Sequence, residues 1–146
     1  MPQRLRADVR GGQRAQGLDA LKFLGRLYWY TVEFGLIAEP EGLRIYGAGI
    51  VSSFAESRFA LADASPNRIA FDLKRVMRTH YRIDDFQQNY FVIPSFDELL
   101  RVTVETDFAP LYTKLAGTDD VPVAQILPDD TLLTRGTQAY ALGKAA

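Results

Sequence analysis

Apolar side chains at Leu21, Leu24, Tyr28, Trp29, Val32 and Leu36 recur at three- and four-residue steps, the spacing that lines one face of an α-helix. One carboxylate interrupts that stripe. Glu33 follows Trp29 by four residues and lies on the stripe's edge, inside the run Tyr28-Trp29-Tyr30-Thr31-Val32-Glu33-Phe34-Gly35-Leu36. An unpaired ionised carboxylate in such surroundings costs roughly several kcal/mol, so the pattern demands a partner. A cation such as Arg26 or Arg44, a turn outward to water, a set of donors, or a metal would each satisfy it. Gly35 is placed to end the helix, Glu39-Pro40-Glu41-Gly42 reads as a turn, and a short strand is expected from Leu43 to Tyr46.

Ser53 and Glu56 have capping-box spacing and predict a helix from about Phe54 to Leu61, leaving Ser52 at the strand-to-helix corner. There its hydroxyl either faces a pocket or makes a local hydrogen bond. Pro66 breaks the chain, after which Asp72 can cap a short helix through Met77. Asp84 and Asp85 are adjacent and therefore do not share a helix face; they read as charges at the amino end of a helix beginning near Phe86. Ser95-Phe96-Asp97-Glu98 is a second capping box, opening a helix through about Val104. Beyond Leu115 the composition changes, and short β-prone pieces at Val121 to Leu127 and Thr131 to Thr134 suggest a tail with a weak hairpin or an extended segment. Gly47-x-Gly49-x-x-Ser52 resembles a dinucleotide fingerprint only superficially. Its third glycine is Ser52 and no βαβ pattern follows, so the glycines read as a tight backbone approach or a plain turn.

The 146 residues suffice for one modest core, and 47% hydrophobic with 24% charged residues excludes global disorder. A net charge of −1 gives no electrostatic case for nucleic acid. The lack of cysteine excludes disulfides, thiolate metal sites and cysteine nucleophiles, and fits the reducing cytoplasm. Arg4, Arg6, Arg10 and Arg14 give the amino terminus a basic character without the apolar core of a signal peptide. No apolar run approaches the ~20 residues of a spanning helix, so no membrane partner is expected.

The Tyr28–Leu36 run, followed by Tyr46-Gly47-Ala48-Gly49-Ile50-Val51-Ser52-Ser53-Phe54-Ala55-Glu56, resembles the pterin-dependent aromatic amino acid hydroxylases, bacterial phenylalanine 4-monooxygenases in particular. Val76-Met77-Arg78-Thr79, Tyr81-Arg82-Ile83-Asp84-Asp85-Phe86-Gln87, Tyr90-Phe91-Val92-Ile93 and Ser95-Phe96 follow in the family's order. The resemblance covers roughly residues 11–112. Residues 1–10 are an atypical basic terminus and residues 113–146 a carboxyl-terminal tail, all within a single partial catalytic domain. It implies a predominantly helical α+β fold with a small β element, corresponding to the C-terminal half of the hydroxylase catalytic domain. It further implies Glu33 as the carboxylate ligand of a non-haem Fe(2+), Trp29, Ser52 and Gly49 on the substrate, and Tyr28 and Gly25 on the tetrahydrobiopterin side. Tyr90 and Glu56 become possible lining of the site, with Glu56 alternatively a reciprocal cap. The implied reaction converts L-phenylalanine and oxygen to tyrosine.

Such an iron site is a two-His, one-carboxylate triad with open positions. The family draws both histidines from a His-x-x-x-x-His segment ahead of the Trp-Glu helix, and residues 1–27 contain none. The one histidine, His80, reads as a surface or helix-end residue. The isolated chain is therefore expected to lack the iron His pair. A non-catalytic remnant or interaction protein that keeps part of the fold is the competing expectation. No sustained heptad marks the tetramerising coiled coil of animal members.

Overall fold

A computed structural model of the chain describes residue 17 and residues 19–145. Helix α1 (residues 19–28) runs directly into a π-helical turn, Trp29–Glu33. The turn is marked by the Phe34 N–H, which donates to Trp29 O at 2.8 Å, one residue further back than an α-helical bond. Strands β1 (Leu36–Glu39) and β2 (Gly42–Ile45) form an antiparallel hairpin with Leu36 opposite Ile45 and Glu39 opposite Gly42. Gly42 adopts φ 130°, which a side chain would strain. Then come α2 (Ala48–Val51), α3 (Phe54–Ala62), β3 (Asn67–Ala70), α4 (Leu73–Met77), β4 (Asn89–Ile93), α5 (Phe96–Glu105), α6 (Phe108–Ala116), β5 (Leu132–Thr134) and α7 (Ala139–Ala145).

The five strands form one sheet in the order β2-β1-β4-β3-β5, with β4 parallel to both β1 and β3 and the two outer pairs antiparallel. All of β4 is buried, as expected of a strand covered on both faces. Its side chains alternate: Tyr90 and Val92 join Phe34, Leu36, Ile50 and Phe59 on one side, while Phe91 joins Tyr30, Ile69 and Val76 on the other. A third apolar cluster of Phe23, Leu73, Met77, Leu111 and Leu115 ties α1 to α4 and α6. The architecture is α+β, as expected.

Local signals gave accurate helix starts. Ser53 Oγ accepts from the Glu56 N–H at 3.2 Å, Asp72 Oδ2 from the Arg75 N–H at 3.0 Å, and Ser95 Oγ from the Glu98 N–H at 3.0 Å.

The buried face of α1 differs from the stripe read in the sequence. Leu21 is 69% exposed, and Leu24, Tyr28 and Val32 are exposed as well. The inward face carries Phe23, Arg26, Tyr30, Thr31 and Phe34. Both faces have helical spacing, and the charge of Arg26 disguises the inner one: its guanidinium donates to Met77 O at 3.2 Å and to Asp120 Oδ1 at 2.9 Å. Leu36 belongs to β1 rather than to the helix, which ends in the π-turn.

One further expectation changes. No helix begins near Phe86; residues 81–88 form a loop without regular structure before β4. Residues 117–136 take the extended alternative, as a strap, with β5 in the β-prone piece expected at Thr131 to Thr134. Thr79 bridges to Val121 in parallel, Arg75 pairs with Asp130 at 2.9 Å, and β5 adds to the sheet edge beside β3. No described helix is long and apolar enough to cross a membrane.

Candidate active site

Glu33 is the last residue of the π-turn and is half-buried. A π-turn inserts one residue into the helix and so changes the direction in which the following side chains leave the axis; such turns recur at functional sites. Glu33 Oε1 accepts from the Tyr28 hydroxyl at 3.2 Å. That contact raises the phenol's pKa, chiefly through the hydrogen bond to the carboxylate. Neither cation suggested by the sequence holds Glu33: Arg26 pairs with Asp120, and Arg44 donates to Leu43 O. Among the described residues Glu33 has no ion-pair partner and no group of three His, Cys, Asp or Glu surrounds a common point.

The glycine corner presses directly on this carboxylate. A methyl group at Gly49 would come within 3.0 Å of Glu33 Oε2 and 2.9 Å of the Phe34 ring. One at Gly47 would overlap the Glu33 carbonyl oxygen and lie 2.5 Å from Gly35 N. The tight backbone approach expected of Gly47 and Gly49 is present. Gly47→Ala is expected to destabilise the fold by about 1–3 kcal/mol or more, because backbone atoms must move to admit the methyl. Urea denaturation checks this, and a wild-type midpoint would contradict it.

Trp29 is held on three sides. Its ring stacks between Phe34 (centroids 4.6 Å apart) and Tyr81 (4.4 Å), and its Nε1–H donates to Gln87 Oε1 at 3.2 Å. Ser52 is exposed and makes the local hydrogen bond of the two alternatives, donating to Gly49 O at 3.0 Å. Gly25 has no atom within 4 Å of an added methyl and opens onto a hollow bordered by Leu21, His80, Tyr81 and Ile83.

Glu56 departs from the reciprocal cap. Only its N–H takes part in the capping box; its carboxylate turns inward, where Oε2 accepts from the Tyr90 hydroxyl at 2.7 Å and the Gln87 N–H at 3.2 Å. Tyr90 is 0% and Glu56 6% exposed, and Trp29 packs against the apolar cluster that contains Tyr90. Burial raises the Glu56 pKa above its ordinary 4.5, despite the opposing hydrogen bonds from Tyr90 and Gln87. A carboxyl whose pKa is raised by folding stabilises the fold below its unfolded pKa, and that contribution is lost as pH rises through the folded value. Glu56→Gln is expected to flatten the fall in stability with pH just above 4.5. Thermal melts across that window test it, and an unchanged slope would contradict it.

Residues 15–109 match the family model described as biopterin-dependent aromatic amino acid hydroxylase. The chain belongs to this hydroxylase family. It is 66% identical over 131 residues to the phenylalanine-4-hydroxylase of Caulobacter vibrioides and 55% identical over 132 residues to that of Chromobacterium violaceum. Each match covers 90% of the chain and 44% of the relative, so the chain spans less than half the length of these hydroxylases. The iron- and phenylalanine-bound crystal structure of the Chromobacterium violaceum hydroxylase superposes with a TM-score of 0.78 at 57% identity, covering 85% of the chain and 46% of that structure. The hydroxylase fold is therefore present in part.

Within this hydroxylase fold the site contains residues that sequence patterning did not single out. Tyr81, Phe34 and Gln87 hold Trp29, and Asp85 is a hub rather than a helix charge. It accepts from the Phe86 N–H at 2.8 Å, the Tyr140 hydroxyl at 2.8 Å and Lys144 Nζ at 3.0 Å. Burial alone would raise the Asp85 pKa, but these hydrogen bonds outweigh it and hold the carboxyl below its ordinary range. The loop around it has no periodicity, and its only sequence signal was the length of the Tyr81–Gln87 motif itself.

Proposed function

We propose that this chain supplies the carboxylate ligand and part of the substrate wall of a non-haem iron, tetrahydrobiopterin-dependent phenylalanine 4-monooxygenase, which converts L-phenylalanine and oxygen to tyrosine in the cytoplasm. The observation that carries this reading is Glu33: a carboxylate set at a π-turn, backed by a glycine corner that tolerates no methyl, with no cation on it among the described residues. It fits one position of a two-His, one-carboxylate set. The other two are not filled from these 146 residues, whose one histidine, His80, lies 3.4 Å from Asp120. Iron, when bound, would supply the activation of oxygen.

The chain's own share is positional. Tyr28 directs its hydroxyl at one Glu33 oxygen, leaving the other toward Gly49. The fixed Trp29 ring provides an apolar surface against which an aromatic side chain can be oriented and water excluded. In this reading Ser52 and Gly49 meet the substrate at the corner beside Glu33, and Tyr28 and Gly25 face the pterin.

A second reading, a non-catalytic interaction protein, draws support from the exposed apolar face of α1 formed by Leu21, Leu24, Tyr28 and Val32. One experiment separates the two. The chain is mixed with the portion of the Chromobacterium violaceum enzyme outside the matched stretch, with ferrous iron, tetrahydropterin and phenylalanine. Tyrosine formation by the mixture, with none from either part alone, is expected. A stable complex that makes no tyrosine would refute the catalytic reading in favour of the second.

A further inference from the structure

Residues 81–88 have no regular structure, yet they hold Trp29 from two directions, with the Tyr81 ring and the Gln87 amide. Gln87 is 1% exposed. Its side chain closes the loop on itself: Nε2 donates to Arg82 O at 2.6 Å and Oε1 accepts from the Arg82 N–H at 3.2 Å, the same oxygen that receives the indole N–H. These bonds fix the loop internally. The loop is tied to the rest of the molecule by the Gln87 N–H on Glu56 Oε2, by the Asn67 N–H on Gln88 O and by Phe86 on Phe59, and its acidic turn is held by α7.

Tyr140 stacks on Phe86, with ring centroids 5.1 Å apart, and packs against Phe59 at 5.2 Å. Its hydroxyl and Lys144 Nζ both reach the Asp85 carboxylate, which is two residues before Gln87. The helix is itself anchored at its start. Gln138 takes φ 58°, its N–H donates to Ser65 O at 2.9 Å and its side chain to Gln88 O at 3.3 Å, while the Tyr140 N–H donates to Ser65 Oγ at 3.0 Å. A non-glycine residue in the left-handed region persists where surrounding bonds determine it, as they do here.

We propose that α7 is a latch for the substrate wall: Tyr140 and Lys144 hold Asp85, and the loop so held presents Gln87 and Tyr81 to the Trp29 ring. Gln87 and Tyr140 are positioning residues, acting on substrate only through Trp29. The consequence for phenylalanine binding rests on Trp29 being the aromatic wall proposed above. The hold on Trp29 itself does not require iron, pterin or substrate.

Trp29 is the one tryptophan in the sequence, so intrinsic fluorescence of the full chain reads its environment directly. Tyr140→Phe removes a single hydroxyl, and Gln87→Met removes the indole's acceptor at similar volume. In both, tryptophan emission is expected to shift to the red and acrylamide quenching to rise about twofold as the loop opens locally, with far-UV circular dichroism unchanged. Tyr112→Phe, placed against Phe23 and Phe108 in another cluster, should leave both signals at wild type. A purely structural role for Tyr140 would lower the melting temperature without moving the indole signal well below it. Wild-type emission and quenching in Tyr140→Phe overturn the latch, whatever Gln87→Met shows. In the reconstituted enzyme Tyr140→Phe should raise KM for phenylalanine more than it lowers kcat; a shifted emission with unchanged KM supports the latch and refutes Trp29 as the wall.

Discussion

Arg75→Ala is expected to destabilise the chain by about 3–5 kcal/mol, the usual cost of removing one partner from a buried ion pair. Arg75 and Asp130 have side chains only 5% exposed each. The pair is bidentate, with Nε to Oδ1 at 2.9 Å and Nη2 to Oδ2 at 3.2 Å. The same guanidinium donates to Gln125 O and Thr79 Oγ1, both at 2.6 Å, and lies over the Phe91 ring at 5.4 Å. Alanine leaves Asp130 buried with the Leu127 N–H as its remaining hydrogen-bond donor. It also frees the Gln125–Asp130 stretch of the strap from α4, leaving the Val121 bridge in place, so the amides of β5 should lose hydrogen-exchange protection before those of β4. Urea denaturation gives the first number and exchange the second. A loss below about 1 kcal/mol with β5 still protected would show that backbone pairing and packing hold the strap without this ion pair.

The elements that could be read from the sequence are those whose cause is local. Ser53, Asp72 and Ser95 cap helices because a side-chain oxygen needs only the N–H three residues on. The face of α1 could not be chosen this way. Leu21, Leu24, Tyr28 and Val32 repeat with the same period as Phe23, Tyr30 and Phe34, and only tertiary partners decide which set is covered. The inner face is occupied because Phe23 meets Leu111 and Leu115 while Tyr30 meets Phe91, contacts from residues far along the chain. The strap was hidden for the same reason: Asp120 and Asp130 look like loop punctuation until Arg26 and Arg75 are placed beside them. The Asp84-Asp85 pair resembled helix-start charges, but Asp84 stays exposed near Arg82 while Asp85 is claimed by α7.

The candidate site was legible where it violated a pattern. Glu33 was conspicuous as a charge within an apolar run, and Gly47 and Gly49 as residues without side chains near it. Gln87 violated nothing. A glutamine between an acidic pair and a strand is an ordinary surface residue by every local rule, and its importance depends on Trp29, which precedes it by 58 residues. Glu56 satisfied the capping-box rule and then used its carboxylate elsewhere, because the buried Tyr90 hydroxyl and Gln87 N–H needed an acceptor more than Ser53 did.

The assignment of Glu33 as the carboxylate ligand is tested most directly by Glu33→Gln in the complex reconstituted from this chain and the remainder of the Chromobacterium violaceum enzyme. Glutamine nearly preserves volume and can still accept from Tyr28, so assembly of the two parts should persist. The anionic ligand is gone. Iron retained after dialysis and tyrosine formation should both fall by more than the roughly 10–100-fold typical of changes to residues that merely support a ligand. Asp84→Asn, at a side chain that is 82% exposed, serves as the control and should match wild type in both. Iron content measured per assembled complex decides the matter: near-stoichiometric iron is expected for wild type and Asp84→Asn with little in Glu33→Gln, and equal iron in all three would refute Glu33 as the ligand.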